Sequence, residues 1–300
     1  MKNTVFIHTN EKQMVGAIVS EHSFKRNSKN PDAFDVKIIR REDFPFFNEF
    51  EGKKFLRAGT WRVWKNADLQ SFTPTRFMPP ELMNYEGRAV VVDPDVFAVG
   101  DVNELFERDM KGHAVLAKPR PGHNGRADYV ATSVMLLDCA KLKHWKVSKM
   151  FADMFAGKLD YEDLITLNAE PKGTVGHLES YWNDFDRLEA DTKLIHNTKR
   201  RTQPWKTGLP IDFQNRIKIP LVDKILGTNG IQLPLKYKKH PDPRQEAFFF
   251  SLLKECLEQG KVSKDVVQEH MRKKHVRADA LDVLARVPTV AQVLQQRKAA

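Results

Sequence analysis

Cysteine is scarce in this chain, with two in 300 residues, and long apolar runs are absent. Cys139 and Cys256 stand far apart and outside any metal-ligand spacing. That excludes a disulfide framework and a zinc signature, and leaves both as small buried apolar residues. No stretch approaches the roughly 20 apolar residues needed to cross a bilayer. The N-terminus has no signal-peptide core, since Met1-Lys2-Asn3-Thr4 leads only into Val5-Phe6-Ile7 before His8. Internal repeats and low-complexity segments are missing too. These absences lead us to expect a cytoplasmic globular protein.

What is present is an ordinary core and a surplus of positive charge. Hydrophobic residues make up 41% and charged residues 29%, enough for one large α/β domain with an appendage or for two modest domains. The 49 basic and 39 acidic residues leave a net charge of +10, which calls for an anionic partner: nucleotide phosphate, acidic glycan, lipid surface or nucleic acid. From Lys236 onward, 14 basic residues face 8 acidic ones, so 6 of the 10 surplus charges lie in the tail.

Apolar runs at Val5–Thr9, Val36–Ile39, Arg88–Val92, His113–Ala117 and Ser133–Asp138 read as strands, and helical spacing follows the first through Met14, Ile18 and Val19. Their alternation predicts an α/β fold with a mainly parallel sheet flanked by helices. Glu42–Leu69 is irregular and rich in aromatic residues, and reads as a long connection folded over the sheet edge, most of its rings packing in the core. Pro119–Gly125 reads as a flexible loop. His240-Pro241-Asp242-Pro243 ends the larger α/β part, expected at 1–238. Over 239–300 the spacing predicts basic helices carrying Phe249, Leu252, Leu253, Cys256 and Leu257, then Val266, Val267, His270 and Met271, then Leu281, Leu284 and Ala285.

The most informative motif is Asp93-Pro94-Asp95, at the end of the apolar run Arg88–Val92. A strand covered on both faces would deliver these carboxylates to its C-terminal end, where ligands bind in open α/β sheets. Two neighbouring carboxylates repel unless a cation lies between them, and a hard divalent ion is the usual solution. A turn built on Asp-Pro-Asp is the structural alternative. The second motif is Leu194-Ile195-His196, followed by the cations of Lys199 to Lys206; it offers a neutral imidazole for a metal and charges for phosphate oxygens, or simply a solvated basic loop.

Over roughly residues 4 to 210 the order of motifs resembles that of the retaining glycosyltransferases of family 8, the glycogenin and lipopolysaccharide galactosyltransferase group, which have a GT-A fold. The resemblance rests on the first strand with Thr9, Arg76-Phe77, Asp93-Pro94-Asp95 followed by Val99-Gly100-Asp101, Ser133–Asp138, Tyr181-Trp182-Asn183, and His196 ahead of Pro204-Trp205. It implies a GT-A type, Rossmann-like sheet and transfer of a sugar from a nucleotide-diphosphate donor, a UDP-sugar above all. Asp93, Asp95 and His196 would ligate manganese, with magnesium as the alternative. Thr9 would lie near the base and Arg76 near the donor, while Lys199, Arg200 and Lys206 would assist the diphosphate. Tyr161-Glu162-Asp163 takes the place of the family's Asp-Gln-Asp segment, which would set Glu162 near the anomeric carbon and Asp163 on sugar hydroxyls; an exposed helical acid pair is the alternative. The chain departs from the pattern at Gln203, where the family has lysine, and at Ala131-Thr132-Ser133, where it has Asn-x-Gly.

The acceptor implied is a glycan, a lipid-linked sugar or a protein, and nucleic acid is not expected as a partner on this reading. The competing reading gives the function to the tail, with Arg272-Lys273-Lys274 contacting nucleic acid or an anionic surface. A combined reading docks the basic helices on the inner face of a membrane to reach a lipid-linked acceptor. Helices packed on the catalytic domain, or in a homo-oligomer interface, are the structural alternative.

Overall fold

The first strand, β1 (Asn3–Thr9), is buried from Thr4 to its end because it sits between two parallel neighbours and is covered on both faces. In the computed structural model, which describes residues 2–122, 128–213, 216, 217, 231, 232 and 234–298, the chain divides into two compact units. The first comprises Met1–His196 with Leu294–Ala300, and the second Asn197–Val293. The units part upstream of the change in sequence character at residue 239.

In the first unit β1 is followed by α1 (Met14–Asn27), β2 (Phe34–Arg40), the hairpin β3 (Lys54–Arg57) and β4 (Thr60–Val63), α2 (Pro79–Leu82), β5 (Arg88–Val92), β6 (Val96–Ala98) and α3 (Asn103–Phe106). Then come β7 (Val115–Arg120), β8 (Tyr129–Asp138), α4 (Val147–Phe155), α5 (Tyr161–Thr166), β9 (Val175–His177), β10 (Asp184–Phe185) and β11 (Leu194–His196). The central sheet has the order β2-β1-β5-β8-β7-β9, and only β8 runs against the others. The mixed α/β class and the mainly parallel sheet are therefore as the alternation of elements predicts.

Alternate residues of the central strands feed two cores. Phe6, Ala89, Val91, Met135 and Leu137 point to one face, where the rings of Phe47, Phe55, Trp64 and Phe151 gather. Val5, Ile7, Val90, Val92, Val134 and Leu136 point to the other, against Ala17, Phe24 and Phe106. This period-2 division explains why β5 reads as an unbroken apolar run, and each fully buried Val or Phe contributes roughly 1.5–3 kcal/mol.

The aromatic stretch 42–69 holds more regular structure than its sequence implies. Short 3-10 turns at Arg41–Asp43 and Pro45–Phe50 lead into the β3–β4 hairpin, whose connection places Ala58 and Gly59 at positive φ, +48° and +68°. A two-residue turn with both residues left-handed matches the twist of paired strands. Most of the rings do pack in the core, with Phe151 in edge-on contact with Phe47, Phe50 and Trp64; Trp61, 53% exposed, is the exception.

In the second unit, β12 (Arg216–Ile217) pairs with β13 (Ile231–Gln232), and the helices are α6 (Pro243–Glu258), α7 (Lys264–Arg272), α8 (Ala280–Arg286) and α9 (Val290–Lys298), the last continuing into the first unit's terminal segment. Asp242 caps α6 by accepting from Arg244 N, Pro243 occupies the first turn, and Phe249, Leu252, Leu253 and Cys256 form the buried face expected from their spacing. Trp205 stacks on Phe249 at 4.6 Å. α9 is a helix that the sequence reading did not include. Among the described residues no helix is long and apolar enough to cross a membrane. Both cysteines are buried free thiols, and burial pushes that of Cys139 up to about 12. Of the expected flexible loop, His123, Asn124, Gly125 and the adjoining Arg126 lie outside the described residues.

Candidate functional site

The chain leaves β5 through a tight turn in which the Asp93 carbonyl accepts from Val96 N at 3.2 Å, with Pro94 at the second position. Proline presets the backbone there, so Asp-Pro-Asp is turn chemistry as well as a pair of carboxylates. β6 then pairs antiparallel with β11 in a register that puts Val96 opposite His196. The pairing carries the imidazole to the turn: His196 Nε2 lies 3.2 Å from Asp95 Oδ1, and one ligand atom from each of Asp93, Asp95 and His196 falls within 4.8 Å of the others.

The tautomer of His196 is set from behind. Its Nδ1 lies 2.9 Å from Asn183 Oδ1, while Asn183 Nδ2 donates to Ser133 Oγ at 2.9 Å. With the amide oriented by Ser133, Oδ1 can only accept, so Nδ1 carries the proton and Nε2 turns its lone pair to the aspartates. In the absence of a cation the imidazole's proton affinity is raised: burial works against the charged form, but the charge and hydrogen bond of Asp95 outweigh it.

Asp93 is anchored differently. Arg76 Nη2 reaches its Oδ1 at 2.5 Å, and His8 Nε2 approaches the same oxygen at 2.7 Å. Burial would raise this carboxyl, but Arg76 and His8 override it and hold it well below the usual carboxylate range. Burial also lowers His8 below its ordinary value, so it serves as a neutral donor. Both contacts fall on Oδ1, and Oδ2 takes part in neither.

β8 completes the floor. Between Ala117↔Met135 and Lys118↔Ala131 its register with β7 slips, so Thr132, Ser133 and Val134 bulge from the ladder. Bulges re-aim side chains near sites. Here the Ser133 carbonyl accepts from Asp93 N at 3.0 Å, and Thr132 Oγ1 accepts from Arg76 Nη1 at 2.6 Å. These residues line an open cavity of about 1080 Å³ that also takes in Arg76, Asp93, Tyr129, Ala58 and Gly59 of the hairpin turn, and Asp160, Glu162 and Asp163. Asp160 ties that wall together, accepting from Ala58 N, Gly59 N and Glu162 N. Arg57 Nε stands 3.4 Å from Glu162 Oε2.

Of the residues singled out in the sequence, Arg76, Asp93, Asp95, His196, Glu162 and Asp163 all belong to the first unit, and Arg76, Asp93, Glu162 and Asp163 share the cavity. Thr9 is buried at the end of β1, where its hydroxyl donates to the Asn10 carbonyl. Lys199, Arg200 and Lys206 lie in the second unit, where the Lys206 ammonium is buried 2.5 Å from Asp212 Oδ2 and Arg200 lies over the Phe213 ring. Sequence reasoning passed over His8, Asp160 and the supporting role of Asn183. His8 carried a usable signal, as a polar residue ending an apolar strand at the sheet's C-terminal edge; Asp160 and Asn183 act through contacts that only the fold creates.

Two carboxylates and one imidazole with its proton held on the far nitrogen form a donor set suited to a divalent ion such as manganese, magnesium or zinc. The residues present therefore fit a cation.

No protein-family model matches the chain, and no curated protein matches it. Among solved structures the chain is similar to the apo form of the glycosyltransferase GlyE of Streptococcus pneumoniae TIGR4, at 14% identity over 86% of this chain and 64% of that one, with a TM-score of 0.47. It is also similar to the galactosyltransferase LgtC in complex with donor and acceptor sugar analogues, at 18% identity over 68% of this chain and 89% of that one, with a TM-score of 0.44. A third is mouse xyloside xylosyltransferase 1, at 14% identity over 66% of this chain and 98% of that one, with a TM-score of 0.43. The chain thus spans somewhat less than two thirds of the length of GlyE.

Proposed function

We propose that this chain is a metal-dependent glycosyltransferase that moves a sugar from a nucleotide-diphosphate donor, a UDP-sugar by the resemblance in sequence, to a glycan, lipid-linked or protein acceptor with retention of configuration. One observation carries the reading. Asp93, Asp95 and His196 converge within 4.8 Å, and Asp93 lines the same cavity as Arg76, Glu162 and Asp163.

Asp93, Asp95 and His196 would hold manganese or magnesium, which when bound offsets negative charge on a diphosphate. Arg76 adds a fixed positive charge at the same edge and positions Asp93 through its 2.5 Å contact. In the transfer the bond between the anomeric carbon and the diphosphate oxygen breaks, and that oxygen keeps the electron pair. The anomeric carbon bonds to an acceptor hydroxyl oxygen, whose proton is released. Retention needs either a carboxylate that forms a transient glycosyl ester or attack on the face the diphosphate leaves. Glu162 is the carboxylate we assign to the first route, with Asp163 binding sugar hydroxyls. Thr9 is assigned to the base.

Binding tests the proposal directly. UDP with manganese should raise the melting temperature, and Asp95→Ala should abolish the rise. Absence of a shift with any nucleoside diphosphate and metal would remove the reading. Glu162→Gln should keep the shift and lose transfer; retained transfer would eliminate the covalent route.

A further inference from the structure

Two cations at the edge of the candidate site have no part in the scheme above. Lys118 Nζ lies over the Phe185 ring at 4.1 Å from its centroid, and the Arg120 guanidinium over the same ring at 4.7 Å. Phe185 in turn meets the His196 imidazole edge-on at 5.5 Å. One ring therefore separates a candidate metal ligand from a pair of like charges. Arg120 also lies over Tyr129, 5.8 Å from its centroid, and Tyr129 lines the cavity.

Like charges on one ring repel, and Asp184 offsets only part of that at Lys118. Neither Lys118 nor Arg120 makes an ion pair with a carboxylate among the described residues. The Lys118 ammonium donates to the Asn183 carbonyl at 2.9 Å, which fixes its position without cancelling its charge. Its proton affinity is lowered by partial burial and further by Arg120 and Arg187, against the attraction of Asp184. Both side chains are partly exposed, and they follow the slip in the β7–β8 ladder, Lys118 opposite Ala131 and Arg120 opposite Tyr129. A partly exposed cation pair on an aromatic platform is a receptor for an oxyanion, which would satisfy guanidinium and ammonium donors together.

We propose that Lys118 and Arg120, held over Phe185, form a binding subsite for an anionic group, phosphate or carboxylate, carried by the acceptor. This rests on the glycosyltransferase reading, in which the donor's diphosphate is held at Asp93, Asp95 and His196. The acceptor's reactive hydroxyl then lies within the cavity while its anion is fixed beside Phe185, so the subsite selects acidic acceptors over neutral ones.

Ligand-observed NMR on the full chain, with glucose 6-phosphate, glucuronate and glucose as probes, tests this before and after addition of Mg²⁺ and UDP. The two acidic sugars should bind about tenfold more tightly than glucose, with or without the nucleotide. Arg120→Gln, at a side chain that makes no hydrogen bond among the described residues, should remove most of the preference. Lys118→Gln should add to the loss and Lys118→Arg should restore it, while UDP binding stays unchanged. Equal binding of acidic and neutral sugars, or a preference that survives the double glutamine variant, overturns the proposal. Displacement of the sugar phosphate by UDP overturns it as well, because the cations would then serve the donor. If UDP fails to bind while the acidic preference persists and depends on Arg120, the anion subsite stands and the glycosyl-transfer reading falls.

Discussion

His196 Nδ1 and Asn183 Oδ1 lie 2.9 Å apart, and that hydrogen bond decides which imidazole nitrogen faces Asp95. A histidine without it would populate both tautomers, one of which directs N–H at the cation position. Asn183→Ala should therefore weaken manganese binding by roughly 10–100-fold, the usual effect of losing a residue that orients a ligand. Isothermal titration with Mn²⁺ reads this out, and unchanged affinity would show that His196 needs no orientation from Asn183.

The Asp95 carboxylate is the companion case, because it reaches the cluster from the turn and Asn183 acts from the far side of the ring. Asp95→Ala removes one of three ligands outright, and His196→Ala removes another. Each should cost more metal affinity than Asn183→Ala. The reverse order in the titrations would exclude this cluster as the cation site.

How far the sequence revealed this arrangement depends on how local each signal is. The strand ending in Asp93-Pro94-Asp95 is legible because burial on both faces demands a run of Ala and Val, and proline marks the turn. His196 is legible from its place after an apolar pair, but its contact with Asp95 needs the β6–β11 register, a pairing between segments about 100 residues apart. The β8 slip that aims Thr132 and Ser133 at the site leaves no mark in the apolar pattern of Val134-Met135-Leu136-Leu137. Ala58-Gly59 is a turn signal hidden in an aromatic stretch, where the sequence reads as irregular chain.

Asp160 accepts from Ala58, Gly59 and Glu162 amides at 2.7–2.8 Å, so it joins the hairpin turn to α5. Burial would raise its carboxyl, but the Gly59, Glu162 and Ala58 amides outweigh this and lower it. A depressed native value means that this stability is present above the unfolded carboxyl range, near pH 3.9, and is lost as pH falls through it towards the native value. Asp160→Ala should destabilise the fold by about 1–2 kcal/mol at pH 7. The gap from wild type should narrow in urea titrations near pH 3, and a gap independent of pH would show that the carboxylate charge has no role.

Phe151 and Trp61 separate core packing from surface aromaticity within one aromatic neighbourhood. Phe151 is 1% exposed and makes edge-on contacts with Phe47, Phe50 and Trp64, so truncation leaves a void that surrounding rings cannot close. Phe151→Ala should cost about 3–5 kcal/mol in chemical denaturation. Trp61 is 53% exposed on β4, with its ring edge 3.1 Å from the position a Cβ would take on Gly157. Trp61→Ala therefore gives up partial contact with α4's end and should cost under about 1 kcal/mol. A loss at Trp61 comparable to that at Phe151 would mean that the hairpin is held chiefly from its exposed face, against the burial of Phe55 and Trp64 beneath it.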